Sequence, residues 1–438
     1  MKRVYVTTAL TCLVILIAVI GGLRLLNLSG GRENLTVGFV YDNDESTPYT
    51  YNFSLSKDAV EKKYGDRVRI LTCSNVLDEE MEEPVRELAE KGCDIIFFNG
   101  YSNLVMELAQ EYPDIQFCQA SYMDMSDQTV PANYHSFKGE AYQGRYVSGI
   151  AAGMKMRRMI SDGILSADQA VLGFVAAFPT SEVISGYTAF LLGARSVVPQ
   201  AVMRVCYTET WSSFAQEKSA AQRLIDEGCV IISNHTDTIG PAIACEEASQ
   251  GRKVYYVGYN QSMAEVAPGS SLVTTRICWE PYVLSAVDAG MANKKIESVV
   301  NGNIHGTDVS AGFEKGWVEM IDLNQLVSAP GTQEAMDRAI EQFKRGNTDF
   351  VFRGDYIGVN PDDPSDHSVD PDLQYLECTG PGYLQCDTEN TELHGEAVCD
   401  DLGYLLRKIP CPDERPAVPC VFARSCCGAF SDGSRCSP

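Results

Sequence analysis

Residues 211–260 constrain this chain most, because they spell out a helix, a strand, a second helix and a second strand with distinct loops between them. Phe214, Ala221, Leu224 and Ile225 recur at helical spacing, and Gly228 ends that helix. Val230-Ile231-Ile232 is short, apolar and β-branched, as a strand buried on both faces would be. The polar loop Asn234-His235-Thr236-Asp237 follows. Pro241 then stands where the first turn of a helix accepts it, and this helix closes before Gly251. Residues 254–257 read as the next strand, running into Gly258-Tyr259-Asn260. Both loops leave the carboxyl ends of parallel strands, which is where open α/β sheets bind ligands. Trp211, His235, Thr236, Asp237, Tyr259 and Asn260 gather there.

The same alternation runs through the rest of the body. Residues 35–40 read as a first strand, with an exit loop over 41–51 that carries Asp42, Asn43, Asp44, Thr47, Tyr49 and Tyr51. A helix over 55–64 and strands over 68–71, 94–98 and 116–119 follow, with helices between them. Asn99-Gly100-Tyr101-Ser102 forms the loop after strand 94–98. Residues 135–154 read as one helix entered through a loop, with Gly144, Gly149, Ala151 and Ala152 allowing close packing. The pattern then restarts: strand 171–175, loop 176–180, helix 182–195 and a strand near 203–206. Two α/β halves in tandem, each with about five strands, are expected. A helix near 281–292 returns to the first half. Residues 335–343 form an amphipathic helix and 350–352 a short terminal strand.

The ends differ from the body. Lys2 and Arg3 precede an uncharged run over 4–23. At ~1.5 Å per residue this run spans ~30 Å, the thickness of a bilayer's hydrocarbon core. It reads as an uncleaved signal anchor that leaves the body extracytoplasmic. A cleaved signal peptide is the alternative, although its apolar core usually runs only ~7–15 residues. Residues 28–34 form a linker. Residues 361–438 hold 15 acidic and 5 basic residues and eight of the sixteen cysteines, show no sustained period, and read as a disordered acidic tail. The other eight cysteines are scattered without a CxxC pair, as small core residues are.

A net charge of −24 argues against nucleic acid as a partner. The sequence holds no GxxxxGK[ST] phosphate loop, no HExxH, no GxSxG and no GxGxxG after a strand. No cysteine–histidine spacing suits a metal. Neither cofactor nor catalysis is expected. Ligand capture by two lobes closing on a hinge is.

Residues 134–154 (YHSFKGEAYQGRYVSGIAAGM) are similar to the signature of the basic membrane protein family, ABC-transporter substrate-binding proteins related to purine nucleoside receptors. Residues 173–199 (GFVAAFPTSEVISGYTAFLLGARSVVP) resemble that family's next block. So does the run WSSFAQEKSAAQRLIDEGCVIISNHTDT from Trp211, with VGYN after it. The resemblance covers about residues 35–360. It implies a type I periplasmic-binding fold, in which two doubly wound parallel-sheet lobes are joined by a hinge. Lobe 1 would take 35–134 plus 277–323 and lobe 2 would take 135–276, with 324–360 packing on them. It also implies a purine nucleoside or nucleobase in the interlobe cleft, clamped around a stacked base and passed to ABC permease subunits. Three departures bear on the ligand. Tyr51-Asn52-Phe53 alters the family's FN pair, Ser121 replaces an Asp, and Gly258-Tyr259-Asn260 replaces Gly-Val-Asp. Carboxylates normally grip ribose, so a free base fits as well as a nucleoside. A membrane-anchored ligand sensor without a transporter is the alternative. A nucleoside hydrolase is a third reading, without a catalytic constellation to support it.

Trp211 is the candidate for stacking a base, against a role in packing. Phe178, on the loop after strand 171–175, is its partner candidate, against core packing. Asp237 would accept from an amine or hydroxyl, or else serve as a helix N-terminal carboxylate. His235 is weighed against a structural hydrogen-bonder, and Asn260 against a turn former. Asp42, Asn43 and Tyr49 are weighed against solvated turn residues, and Asn99 and Ser121 against a plain strand-exit turn. For Glu182 and Arg145 a salt bridge framing the lobes is expected, and for Trp279 packing.

Overall fold

The computed structural model of the chain describes residues 31–100, 102–120, 130–178, 180–348, 350–351 and 406–409. The expected signal anchor, Ser121 and the cysteine-rich tail other than 406–409 lie outside these residues. Among the described residues no helix is long and apolar enough to cross a membrane. The chain forms two compact units. The first runs to Gly144 and resumes over Arg276–Glu319 and Phe343–Gly346. The second takes Arg145–Thr275, Met320–Gln342 and the chain from Asn347.

The first unit alternates β1 (Leu35–Val40), α1 (Pro48–Tyr64), β2 (Val68–Cys73), α2 (Glu82–Glu90), β3 (Ile95–Phe98), α3 (Leu104–Glu111), β4 (Gln116–Ala120) and β5 (Tyr134–Gly139). It ends with α8 (Glu280–Met291), β11 (Asn303–His305) and β12 (Asp308–Ala311). The sheet order is β11-β12-β5-β4-β3-β1-β2. β1 pairs in parallel with both β2 and β3, in the registers Val37↔Ile70 and Val37↔Ile95. Only the outer β11 is shown antiparallel, to β12. Val40, Val85, Leu88, Ile96, Phe98 and Phe117 share one core cluster.

The second unit follows the same plan. Its elements are α4 (Ala141–Ser161), β6 (Val171–Ala176), α5 (Ser181–Arg195), β7 (Val202–Tyr207), α6 (Phe214–Asp226), β8 (Ile231–His235), α7 (Gly240–Ser249), β9 (Tyr255–Tyr259) and β10 (Ser271–Ile277), then β13 (Val318–Ile321), α9 (Thr332–Lys344) and β14 (Leu406–Ile409). The sheet order is β13-β10-β9-β8-β6-β7-β14. Ala221, Leu224, Ile225, Ile232 and Tyr256 lie in its core. Phe214, assigned to the same helical stripe, is instead 46% exposed at the helix start.

In each sheet the first strand sits between the second and third, so strand order reverses at β1/β3 and at β6/β8. Helices leaving neighbouring strands there pass to opposite faces, which opens a crevice outside the carboxyl ends of the strands. The loops after β1, β3, β6 and β8 are therefore the geometrically favoured binding loops.

Several elements differ from expectation. The helix expected over 135–154 is a strand followed by a helix. β5 is buried throughout and pairs in parallel with β4 and β12. A Cβ on Gly139 would lie 2.6 Å from the Ile277 side chain, so glycine permits this packing. Helix α1 begins at Pro48 rather than 55, so Tyr49 and Tyr51 are helical. Thr47 caps it by accepting from the Thr50 N–H, and Pro48 suits the first turn. Asn234 and His235 end strand β8 instead of opening a loop. Phe350 and Val351 form a turn and a bend, not a strand.

Close packing of α4 on α5 rests on glycines. A Cβ on Gly149 would sit 2.1 Å from the Phe190 carbonyl oxygen, and one on Gly193 would sit 2.0 Å from that of Tyr146. The seven described cysteines are all free and six are buried, in keeping with their reading as core residues.

Candidate functional site

The second unit collects its polar and aromatic groups at the β6/β8 reversal. Phe178 follows β6, and its ring meets the Trp211 indole edge-on at 5.5 Å. Trp211 meets His235 at 6.3 Å, and His235 meets Tyr259 at 4.7 Å. The Arg145 guanidinium lies over the Tyr259 ring at 3.7 Å and over Phe174 at 5.5 Å. Exposure is graded along this chain of rings. Trp211 is 38% exposed, Phe178 partly buried, and His235 only 3% exposed. A partly exposed indole at a strand exit can stack a flat ligand, while the buried rings pack against it.

The β8 exit is braced from below. Arg145, fully buried, donates to the Asn234 carbonyl at 2.8 Å and to the Ser233 hydroxyl at 3.4 Å. The Asn234 amide donates to the Thr236 carbonyl at 2.9 Å, and its oxygen accepts from the Tyr256 hydroxyl at 2.6 Å. His235 Nε2 lies 3.1 Å from the Glu182 carboxylate, which fixes the ring proton on Nε2. Nδ1 packs against α5, where a Cβ on Gly186 would lie 3.3 Å from it. It finds no hydrogen-bond partner among the described residues. Burial holds the imidazole below its ordinary value, Glu182 opposes this, and Arg145 adds to the lowering. His235 is thus a neutral backing ring. Arg145 and Glu182, expected to frame the lobes as a salt bridge, brace the carbonyl and ring at the end of β8.

Asp237 and Asn260 complete the cluster. Asp237 is 8% exposed, and its N–H donates to the Trp211 carbonyl at 2.8 Å. Asn260 adopts a left-handed φ of 64°, which Asn tolerates better than most residues, and donates its N–H to Thr275 at 2.8 Å. Asn260 is 3% exposed.

The first unit has its own laced switch point. Asp42 Oδ1 accepts from the Asn43 N–H (2.8 Å), the Thr50 hydroxyl (3.0 Å) and the Asn99 amide (2.8 Å). Asn99 Oδ1 accepts the Asp42 N–H, and Tyr49 donates to the Asn99 carbonyl, both at 2.8 Å. The four candidates therefore lock the loops after β1 and β3 together. Trp279 is 1% exposed and packs on Phe53 and Phe137.

Two residues escaped the sequence reading. Thr50 gives no local signal, since its partner is eight residues away. Glu217 is fully buried and accepts the Ser213 N–H at 3.0 Å and the Thr238 N–H at 3.1 Å. Its signal was an acid four residues after the serine at the helix start. Among the described residues no group of three or more His, Cys, Asp or Glu side chains could hold a metal ion.

The model of the Bmp family, described as ABC transporter substrate-binding protein PnrA-like, matches residues 35–350. A purine-binding protein of Brucella abortus is 26% identical over 314 residues, 71% of this chain and 81% of that relative. A putative ABC transporter glucose-binding protein of Haloferax volcanii is 26% identical over 293 residues, 66% of this chain and 67% of that relative. Among solved structures, an ABC transporter solute-binding protein of Aeropyrum pernix superposes with a TM-score of 0.59 at 13% identity, covering 82% of this chain and 99% of that one. That likeness shows the fold, the two-sheet α/β architecture of periplasmic binding proteins.

Proposed function

The chain belongs to the family of PnrA-like ABC transporter substrate-binding proteins, and from that premise we propose that it captures a purine nucleoside or free purine base outside the cell for ABC permease subunits. The supporting observation is the partly exposed indole of Trp211, on the loop after β7, beside Phe178 at the strand-order reversal where α/β sheets bind ligands. A purine offers two aromatic faces and a rim of donors and acceptors. The indole takes a face, and Asp237 and Asn260 offer polar atoms to the rim. The purine-binding relative supports this choice and the glucose-binding relative names the competing one. A pyranose can also lie on an aromatic face, but its rim of hydroxyls would need a denser ring of polar side chains. The body stands outside the cytoplasm, tethered by residues 4–23. The role is binding without covalent chemistry.

Equilibrium dialysis of the full chain against labelled adenine, hypoxanthine, adenosine, inosine and glucose tests this reading. Saturable retention of at least one purine, undiminished by excess glucose, is expected. Retention of glucose alone would overturn it.

A further inference from the structure

Glu217 lies on the first turns of α6 and is 0% exposed. A carboxylate without water is tolerated only where donors surround it. Here the donors come from two different loops. Oε1 accepts the Ser213 N–H, two residues past Trp211, and Oε2 accepts the Thr238 N–H, one residue past Asp237. The direct bond from Asp237 N–H to the Trp211 carbonyl lies between them. The Ser213 side chain makes no capping bond of its own, while its backbone N–H, at the helix start, is met by Glu217. The N-termini of α6 and α7 also approach closely, since a Cβ on Gly240 would fall 2.8 Å from the Phe214 carbonyl oxygen. Both helix starts favour negative charge.

We infer that Glu217 is a positioning residue for ligand capture: its two oxygens hold the Trp211 loop and the Thr236-Asp237-Thr238 loop in fixed register. The stacking ring and the polar loop then meet the ligand as one surface. This deepens the purine reading of the same site and rests on it. Glu217→Gln keeps the shape, but its amide nitrogen cannot accept, so one of the two N–H groups loses its partner.

Two measurements on the full chain test the inference. The first uses no ligand. Trp279 and Trp317 are each 1% exposed, so acrylamide quenching of the 38%-exposed Trp211 dominates the signal. Glu217→Gln is expected to raise the quenching constant roughly twofold as the loop loosens, and an unchanged constant overturns the inference. The second is a double-mutant cycle with Trp211→Ala, reading dissociation constants for adenine, hypoxanthine, adenosine and inosine. Glu217→Gln is expected to weaken binding about tenfold in the wild type, and less than about twofold once Trp211 is gone. Equal losses in both backgrounds would assign Glu217 a general structural role instead. Glu217→Asp keeps the charge and carries the same expectations where Glu217→Gln does not melt cooperatively. If the wild type binds none of the four compounds the purine reading fails, and the quenching result alone decides the role of Glu217.

Discussion

The N–H of Asp237 donates to the carbonyl of Trp211 across 2.8 Å, tying the loop that carries the open indole to the polar loop after β8. Neither loop belongs to the other's strand. Trp211 follows β7 and Asp237 follows β8, so the bond joins two separate exits of one sheet. The aromatic and polar halves of the candidate site are thus fixed to each other before any ligand arrives. Such preorganisation lowers the entropy lost on binding.

Removing the indole isolates its contribution. Base–aromatic stacking is worth ~1–3 kcal/mol, so Trp211→Ala is expected to raise the dissociation constant for a purine ~5- to 150-fold by calorimetry. Because Trp211 is 38% exposed, the melting temperature should change little. A large loss of stability with unchanged affinity would make Trp211 a packing residue. Trp211→Phe, which keeps a stacking face, should retain most of the affinity.

Arg145 tests the brace beneath the cluster. Its guanidinium is fully buried, donates to the Asn234 carbonyl and lies 3.7 Å over Tyr259. Lysine carries the charge but not the planar fork that can bond and stack at once. Arg145→Lys is expected to destabilise the chain by about 2 kcal/mol or more in denaturant unfolding. A change within ~0.5 kcal/mol, as at an ordinary surface position, would contradict the brace.

The helix contact between α4 and α5 is testable with one methyl group. A Cβ on Gly149 would lie 2.1 Å from a backbone oxygen that cannot step aside without moving α5. Gly149→Ala is expected to cost about 3 kcal/mol. Gly251, with nothing within 4 Å of its ideal Cβ, is the control, and Gly251→Ala should stay within ~0.5 kcal/mol.

Glu140 should give the first unit a pH dependence. Burial, reinforced by the nearby charge of Glu314, pushes its carboxyl up to about 7, against the opposing bonds from Asn303, Ser310 and Gln143. The folded value lies above the ordinary 4.5, so the folded state holds the proton more tightly than the unfolded chain. The associated stabilisation is complete below that ordinary value and is lost as pH rises through about 7, with an upper size of about 3 kcal/mol. Glu140→Gln should therefore melt above the wild type at pH ~8, with the gap closing by pH ~5. A gap independent of pH would contradict this assignment.

The parallel architecture was legible because β-branched runs such as Val230-Ile231-Ile232 alternate with helical stripes ending in glycine. β5 was not, because Tyr134-His135-Ser136-Phe137-Lys138-Gly139 has no β-branched residue. Its strand character comes from pairing with β4, the strand before it, and with β12, far along the chain. The candidate site was legible as an address. Loops after parallel strands carry Phe178, Trp211, Asp237 and Asn260, His235 ends β8, and four of the ten candidates lock together around Asp42 and Asn99. The roles were less legible. Asp42 spends one oxygen on three neighbouring donors and His235 turns inward, because hydrogen-bond partners are set by tertiary approach. Glu217 and Arg145 act from beneath the surface, where an isolated charge in a sequence looks like any solvated one.

The proposed ligand is a purine and not a sugar. A thermal-shift comparison of the full chain with adenine, hypoxanthine, adenosine, inosine and glucose tests it most directly. At ~100 times its dissociation constant a ligand stabilises the folded state by ~2.7 kcal/mol, a rise of several degrees for a chain of this size. That rise is expected with at least one purine and none with glucose. A rise with glucose and none with any purine would contradict it.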